Sequence, residues 1–206
     1  MPLEELREVY TARRAQVLLP LAQNLEIYLR ELVSALPRID HVSVRAKAVE
    51  SFMRKAEKRT EDGQPKYSDP IHQIQDQIGA RITSFYLSDI PLVKSLVEKY
   101  FGPIESRLAS PESPREFDYE GQHYILFIPD DVIHNRIDDG AGPKFFELQI
   151  KTLFQHAWSQ ASHDLAYKSE TAVTRDQRRL VAFAAAQAWG ADQIFAKLAE
   201  ELGTKA

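Results

Sequence analysis

The chain contains no cysteine among its 206 residues. Disulfides and thiolate metal sites are thereby excluded, and a reducing compartment fits. No apolar run approaches the length of a membrane span, and the opening Met1-Pro-Leu-Glu-Glu-Leu-Arg7 lacks the basic-then-apolar order of a signal peptide. The expectation is a soluble cytoplasmic protein that does not engage membrane. Positive charge is not in excess either. With 26 Lys+Arg against 30 Asp+Glu the net charge is -4, so no global field draws the chain to nucleic acid, and any anion binding must be local. Glycine is scarce, and no Gly-rich phosphate loop is present. There is no internal repeat and no low-complexity segment. The length supports one good-sized core, hence a single domain over 1–206.

What is present reads as helices, then strands mixed with helices, then helices. Apolar positions from Leu3 through Tyr10, Leu21 and Leu25 to Leu32 recur at helical spacing across residues 1–40, with Pro20 breaking or kinking the run. A short extended piece over 42–47 leads to a helix over 48–59. Residues 60–70 are turn-rich and polar, hence a loop. A short helix (71–77), a strand (78–86) and a helix opened by Ser88 or Asp89 follow. Residues 108–117 read as a second loop, 123–128 as a strand, and the turn-rich 129–143 as the link of a long hairpin into a strand at 144–151. Helices then cover 152–168 and 174–203. This order predicts an α+β domain, one mixed sheet of about five strands flanked by helices.

The strand Lys144-Phe-Phe-Glu-Leu-Gln-Ile-Lys151 carries the strongest pattern. Its alternation puts Phe146, Leu148 and Ile150 on one face and Phe145, Glu147, Gln149 and Lys151 on the other. A carboxylate, an amide and an ammonium side by side are costly to bury unpartnered, so that face lines a polar pocket or simply meets water at an edge. Lys47, Ser51 and Lys55, spaced four apart, share a helical face with Arg45 just before them. They mark either a solvated basic face or a cradle for an anion such as polyphosphate. In Asp76-Gln-Ile-Gly-Ala-Arg81, Asp76 is a turn residue or a ligand for Mg²⁺, and Arg81 can reach a phosphate or stack on a base. Tyr119 and His123 share a strand face, as ordinary packing or as a base-stacking ring beside an imidazole. Paired in space with Asp76, Glu147 would make a two-carboxylate magnesium site or a base beside a metal. His156 and His163 share a helix face but lack a third ligand one turn away.

The order of these pieces, Arg45-x-Lys47…Ser51…Lys55, Asp76-x-x-Gly79-x-Arg81, Tyr119-x-x-x-His123 and Glu147-Leu-Gln-Ile-Lys-Thr…His156-Ala-Trp158, resembles the synthetase domain of the RelA/SpoT family. The resemblance covers roughly residues 42–168, and the length points to a small single-domain member. It implies a nucleotidyltransferase-like fold and transfer of the β,γ-pyrophosphate of ATP to the ribose 3′-hydroxyl of GDP or GTP. It further implies that Arg45 and Arg81 sandwich the adenine, and that Lys47, Ser51 and Lys55 hold the ATP phosphates. Asp76 would bind Mg²⁺ together with Glu147, which is also placed to take the 3′-hydroxyl proton. Tyr119 would stack on the acceptor base, with His123, Gln149, Arg115 and Lys151 completing the acceptor side.

Five positions depart from the family pattern. Where the family shows Pro-Lys-x-Asn-Gly-Tyr, this chain reads Pro114-Arg115-Glu116-Phe117-Asp118-Tyr119; the serine two residues on is Gly121, and the arginine of Gln-Ile-Arg-Thr is Lys151. Arg115 keeps a charge for acceptor phosphates, but Phe117 cannot reproduce the hydrogen bonds of asparagine. Two other readings therefore stand beside the alarmone synthetase. One is a toxin-like relative, partnered by an antitoxin, that modifies an adenine nucleotide or the 3′ end of tRNA. The other is a silent nucleotide-binding module. The last helix carries a broad apolar surface, as core or as the contact of a homo-oligomer.

Overall fold

Five strands form one mixed sheet in the order β1-β2-β5-β4-β3, where β1 is Ile39–Ala46, β2 Ile78–Ser84, β3 Pro103–Ala109, β4 Gly121–Phe127 and β5 Phe145–Thr152. The fold is that of a computed structural model in which residues 2–111, 113, 116–118, 121–133, 142–168 and 173–203 are described. Only β2 and β5 run parallel; β1–β2, β5–β4 and β4–β3 are antiparallel. The expected α+β class and the long hairpin into β5 are observed.

The alternation read from β5 decides the layering. Phe146, Leu148 and Ile150 are fully buried, together with Ile82 of β2, Leu126 of β4 and Val42 of β1 on the same face. Over that face lie α2 (Leu19–Leu32), through Leu21, Leu25 and Leu29, and α5 (Ile90–Tyr100), through Val93 and Val97. Each such side chain contributes about 1.5–3 kcal/mol by leaving water. A one-residue slip of β5 would exchange this set for Glu147, Gln149 and Lys151, so burial fixes the register and with it the composition of the opposite, polar face.

Pro20 does not break the first run. Helix α1 (Leu3–Arg13) passes through a π-helical turn at Arg14–Leu18 into α2, with Pro20 in the first turn of α2. Proline has no N–H for the carbonyl four residues back, and a widened turn absorbs that lost bond. Helix α3 (Val49–Ala56) starts just past Lys47, and α4 (Pro70–Gln73) is shorter than expected, which leaves Asp76 in the turn before β2. The strand β3 was not legible as one: it is an exposed edge with no inward apolar face to mark it. The short α6 (Asp130–Ile133) lies within the predicted connection, and α7 (Leu153–Lys168) and α8 (Arg175–Glu201) close the chain. Thr174 caps α8 in a reciprocal box with Gln177. Among the described residues no helix is long and apolar enough to cross a membrane.

Candidate functional site: two cavities that meet at Glu147

Register alone assembles the polar face. Glu147 lies opposite Gly79, and Gly79 opposite Arg45; one step along, Gln149 lies between Arg81 and His123, with Ser43 beyond Arg81. Four strands thus contribute side chains to one surface, because residues paired across a sheet share a face.

On one side of Glu147 is a cavity of about 370 Å³ lined by Lys55, Tyr67, Gln73, Gln75, Asp76, Ile125 and Glu147. Lys47 Nζ and Lys55 Nζ both reach Asp76 Oδ2, at 2.7 and 3.0 Å. The anion that the stacked lysines call for is therefore supplied by the chain itself. Burial pushes the Asp76 carboxyl up, but the hydrogen bonds and charges of the two lysines outweigh it and hold the group below its ordinary value. Asp76 Oδ1 is buried and has no hydrogen-bond partner among the described residues. The turn that carries Asp76 is braced: Gln77 O accepts from Lys47 N at 2.8 Å, and the Gln77 amide donates to Ile71 O and Ile74 O at 2.6 and 3.0 Å.

Glu147 is held on its own side by His123 Nδ1 at 2.8 Å and by the Gln149 amide at 3.3 Å, both on Oε1. Burial and the nearby Asp76 raise its carboxyl; the His123 contact leads the opposing effects, and the net shift is downward. It stays ionised throughout the neutral range. Among the described residues no cluster of three or more His, Asp or Glu side chains is gathered for a metal. Asp76 and Glu147 instead make a two-carboxylate pair on one cavity. An orphaned carboxylate oxygen and hard oxygen donors suit Mg²⁺, whose shell is normally completed by substrate phosphate and water.

On the other side of Glu147 a second cavity, about 340 Å³, is lined by His41, Ser43, Arg45, Gly79, Ala80, Arg81, Glu147, Gln149, His156 and Gln160. The Arg45 side chain lies over Gly79, with Nε 3.9 Å from where a Cβ would stand. Arg81 Nη1 donates to His156 Nδ1 of α7 at 2.9 Å.

Of the residues singled out in the sequence, Arg45, Lys55, Asp76, Arg81, Glu147 and Gln149 line these two cavities. Lys47 and His123 reach them by hydrogen bonding to Asp76 and Glu147. Ser51 lines neither; its Oγ accepts from Arg54 at 3.4 Å. Lys151 is 3% exposed and donates to Ser159 of α7 at 3.1 Å, under the sheet face rather than in a cavity. Arg115 and Tyr119 lie outside the described residues. Phe117 and Asp118 line a small recess with Gln155, Trp158 and Trp189, away from Glu147. Sequence reasoning missed Tyr67, Gln73 and Gln75, which carry no spacing signal. It also missed His41 and Ser43, which alternate with Arg45 along β1 and were open to the same argument as β5. His156 was weighed only as a metal ligand.

A family model for the region found in RelA/SpoT proteins matches residues 44–172. The chain is 30% identical over 135 residues to the GTP pyrophosphokinase YjbM of Bacillus subtilis (strain 168), a match spanning 63% of this chain and 57% of that protein. The fold is that of small alarmone synthetase 1 from Bacillus subtilis, with a TM-score of 0.70 at 22% identity, covering 91% of this chain and 96% of that one. A GTP pyrophosphokinase family protein from Streptococcus pneumoniae has the same fold, with a TM-score of 0.68 at 20% identity over 98% of this chain and 96% of the other. With more than half of its length matched and its paired carboxylates and basic residues brought together on one sheet face, this chain belongs to the RelA/SpoT family.

Proposed function

We propose that the protein is a pyrophosphokinase that moves the β,γ-pyrophosphate of ATP to the ribose 3′-hydroxyl of GDP or GTP, producing (p)ppGpp. The observation that carries this reading is the position of Glu147, shared by a cavity of cations and carboxylates and a cavity walled by two arginines. The relatives support it: YjbM is named a GTP pyrophosphokinase, and small alarmone synthetase 1 has been solved with its product pppGpp and with AMPCPP.

In this reading Arg45 and Arg81 flank the adenine. Lys47 and Lys55 exchange the Asp76 carboxylate for the ATP phosphates when nucleotide enters, and Ser51 assists from α3, the helix that carries Lys55. Asp76 and Glu147 would hold Mg²⁺, which neutralises phosphate charge when bound. Glu147 accepts the proton of the 3′-hydroxyl as that oxygen bonds to the β-phosphorus and AMP departs with the bridging oxygen. His123 orients the carboxylate, and His123, Gln149, Tyr119 and Arg115 form the acceptor side, with Lys151 held behind it against Ser159. Transfer of this kind is mostly positioning and charge neutralisation, which is what these groups supply. The protein acts in the cytoplasm in this reading, where both nucleotides are abundant.

The test incubates the protein with Mg²⁺ and γ-labelled ATP, offering GDP, GTP, ADP, ATP and deacylated tRNA separately. Label is expected on GDP or GTP. Label moving only to adenine nucleotide or tRNA would retain the donor assignments and overturn the guanine acceptor. Glu147→Ala is expected to lower transfer by roughly 10²–10⁴-fold; transfer at the wild-type rate would remove Glu147 from the role of base.

A further inference from the structure

Arg81 stands on β2 with its guanidinium turned toward the first turns of α7, where the half-buried His156 receives Nη1 at 2.9 Å through Nδ1; Nε2 is 3.5 Å from the same nitrogen. An imidazole accepts a hydrogen bond from a guanidinium only through an unprotonated ring nitrogen. Nδ1, the nearer ring nitrogen, accepts this bond in the neutral tautomer that carries its proton on Nε2. Both residues line the same cavity as Arg45, and this bond ties the Arg81 guanidinium to α7.

We infer that His156 is a positioning residue that fixes the Arg81 guanidinium as a wall of the nucleotide cavity, and that the contact turns from attraction to repulsion when the ring takes a second proton. The inference rests on the donor-nucleotide reading given above, and deepens it. An arginine is a long side chain with several rotatable bonds, and stacking on a base requires its plane to be held. The surrounding charges favour the neutral ring. Burial comes first among the causes that lower its affinity for a proton, followed by Arg81, then Lys151 of β5 and His41 of β1; Asp40 of β1 opposes them. Arg45 and Glu147, which also line the cavity, carry opposite charges, and Ser43, Gln149 and Gln160 carry none. Once protonated, His156 would offer N–H toward N–H, and Arg81 would leave the plane in which it meets the base.

The experiment measures binding of AMPCPP to the full chain by calorimetry, between pH 5.5 and 8, for wild type, His156→Ala, His156→Asn and His41→Asn. Asparagine places a non-titrating carbonyl oxygen close to the position of Nδ1. The alanine variant is expected to bind about tenfold more weakly at pH 8, the typical worth of a hydrogen bond to a charged group, and asparagine to restore most of that loss. Wild type is expected to weaken as pH falls. That acidic weakening should vanish in His156→Asn and persist in His41→Asn. Equal affinity of alanine and wild type at pH 8, or an acidic limb that survives in His156→Asn, would overturn the positioning role alone. A wild-type protein that binds no adenine nucleotide at any pH would overturn the donor reading, and this inference with it.

Discussion

Asp76 serves as counter-ion to two lysines and, in the proposed reaction, as a metal ligand, and both uses depend on its charge. In Asp76→Asn the amide keeps the size of the side chain but leaves Lys47 and Lys55 facing each other without an anion. Expected is a loss of about 1–3 kcal/mol in urea unfolding at pH 7, since breaking a partly buried pair strands its charged partners. The carboxyl sits below its ordinary value, so its contribution is full above the unfolded-state value and disappears as pH falls through the folded one. The difference between wild type and Asp76→Asn should accordingly close on the acid side. Lys151 carries the opposite sign. Burial first, then the charges of Arg81 and Arg45, push its ammonium from 10.5 to about 7. Below pH 7 folded and unfolded chains are both protonated at this site and the full penalty is present. Between 7 and 10.5 only the unfolded chain binds the proton, so stability rises with pH. At ~1.4 kcal/mol per unit the penalty at pH 6 is about 3–5 kcal/mol. Lys151→Met, which also gives up the bond to Ser159, is expected to be more stable than wild type at pH 6, with the gap narrowing by pH 9.5 in thermal unfolding.

At the scale of elements, the loop that departs from the family pattern is tied to the C-terminal helix. The Phe117 ring meets Trp189 of α8 edge-on, centroids 5.7 Å apart at 61°. A residue that cannot make the hydrogen bonds of asparagine is used here as an apolar anchor, worth about 0.5–1.5 kcal/mol for such a pair. The chain has two tryptophans, so a Trp158→Phe background reports Trp189 alone. In that background Phe117→Asn is expected to move the Trp189 emission to the red and to lower stability by about 1 kcal/mol; unchanged emission would mean that the ring pair does not form in solution. This contact also shows where the sequence stops being legible. The β5 strand could be read because period-2 burial leaves a mark, and the register that follows from it places Gln149 beside Arg81 and His123. Spacing put Lys47 and Lys55 together but could not name Asp76, 21 residues beyond Lys55, as the anion between them. Edge strand β3 buries no face and left no pattern. The pairs Phe117–Trp189 and Arg81–His156 join residues 72 and 75 positions apart, a separation that no local periodicity encodes. The buried bidentate pair of Arg38 and Asp89 was invisible for the same reason.

For the whole molecule, the family match begins at residue 44, yet the helices before it take part in holding the site. The Lys47 carbonyl accepts from Tyr10 Oη at 3.0 Å and from Arg14 Nε at 3.1 Å, while Arg13 Nε donates to Gln77 Oε1 at 3.1 Å and Arg7 pairs with Glu50 of α3. The Tyr10 ring is fully buried and stacks on Phe52 of α3, 3.7 Å between centroids with the rings nearly parallel. Burial raises its phenol above the ordinary tyrosine value, so the hydroxyl remains a donor across the neutral range. The N-terminal helices thus clamp the segment that delivers Lys47 from both sides, through its carbonyl and through the turn of Asp76. Two variants separate the scaffold from the clamp. Tyr10→Ala removes a buried ring and is expected to cost about 3–5 kcal/mol, as large aromatic truncations do. Tyr10→Phe keeps the stack and removes one of the two donors on the Lys47 carbonyl. Because Arg14 still satisfies that oxygen, the stability loss should be near 1 kcal/mol or below, with AMPCPP affinity falling about two- to fivefold and the KM of the acceptor unchanged. An acceptor KM that moved as far as the AMPCPP affinity would show the helices to be general support for the sheet, whereas a change confined to the adenine nucleotide would locate their effect at Lys47.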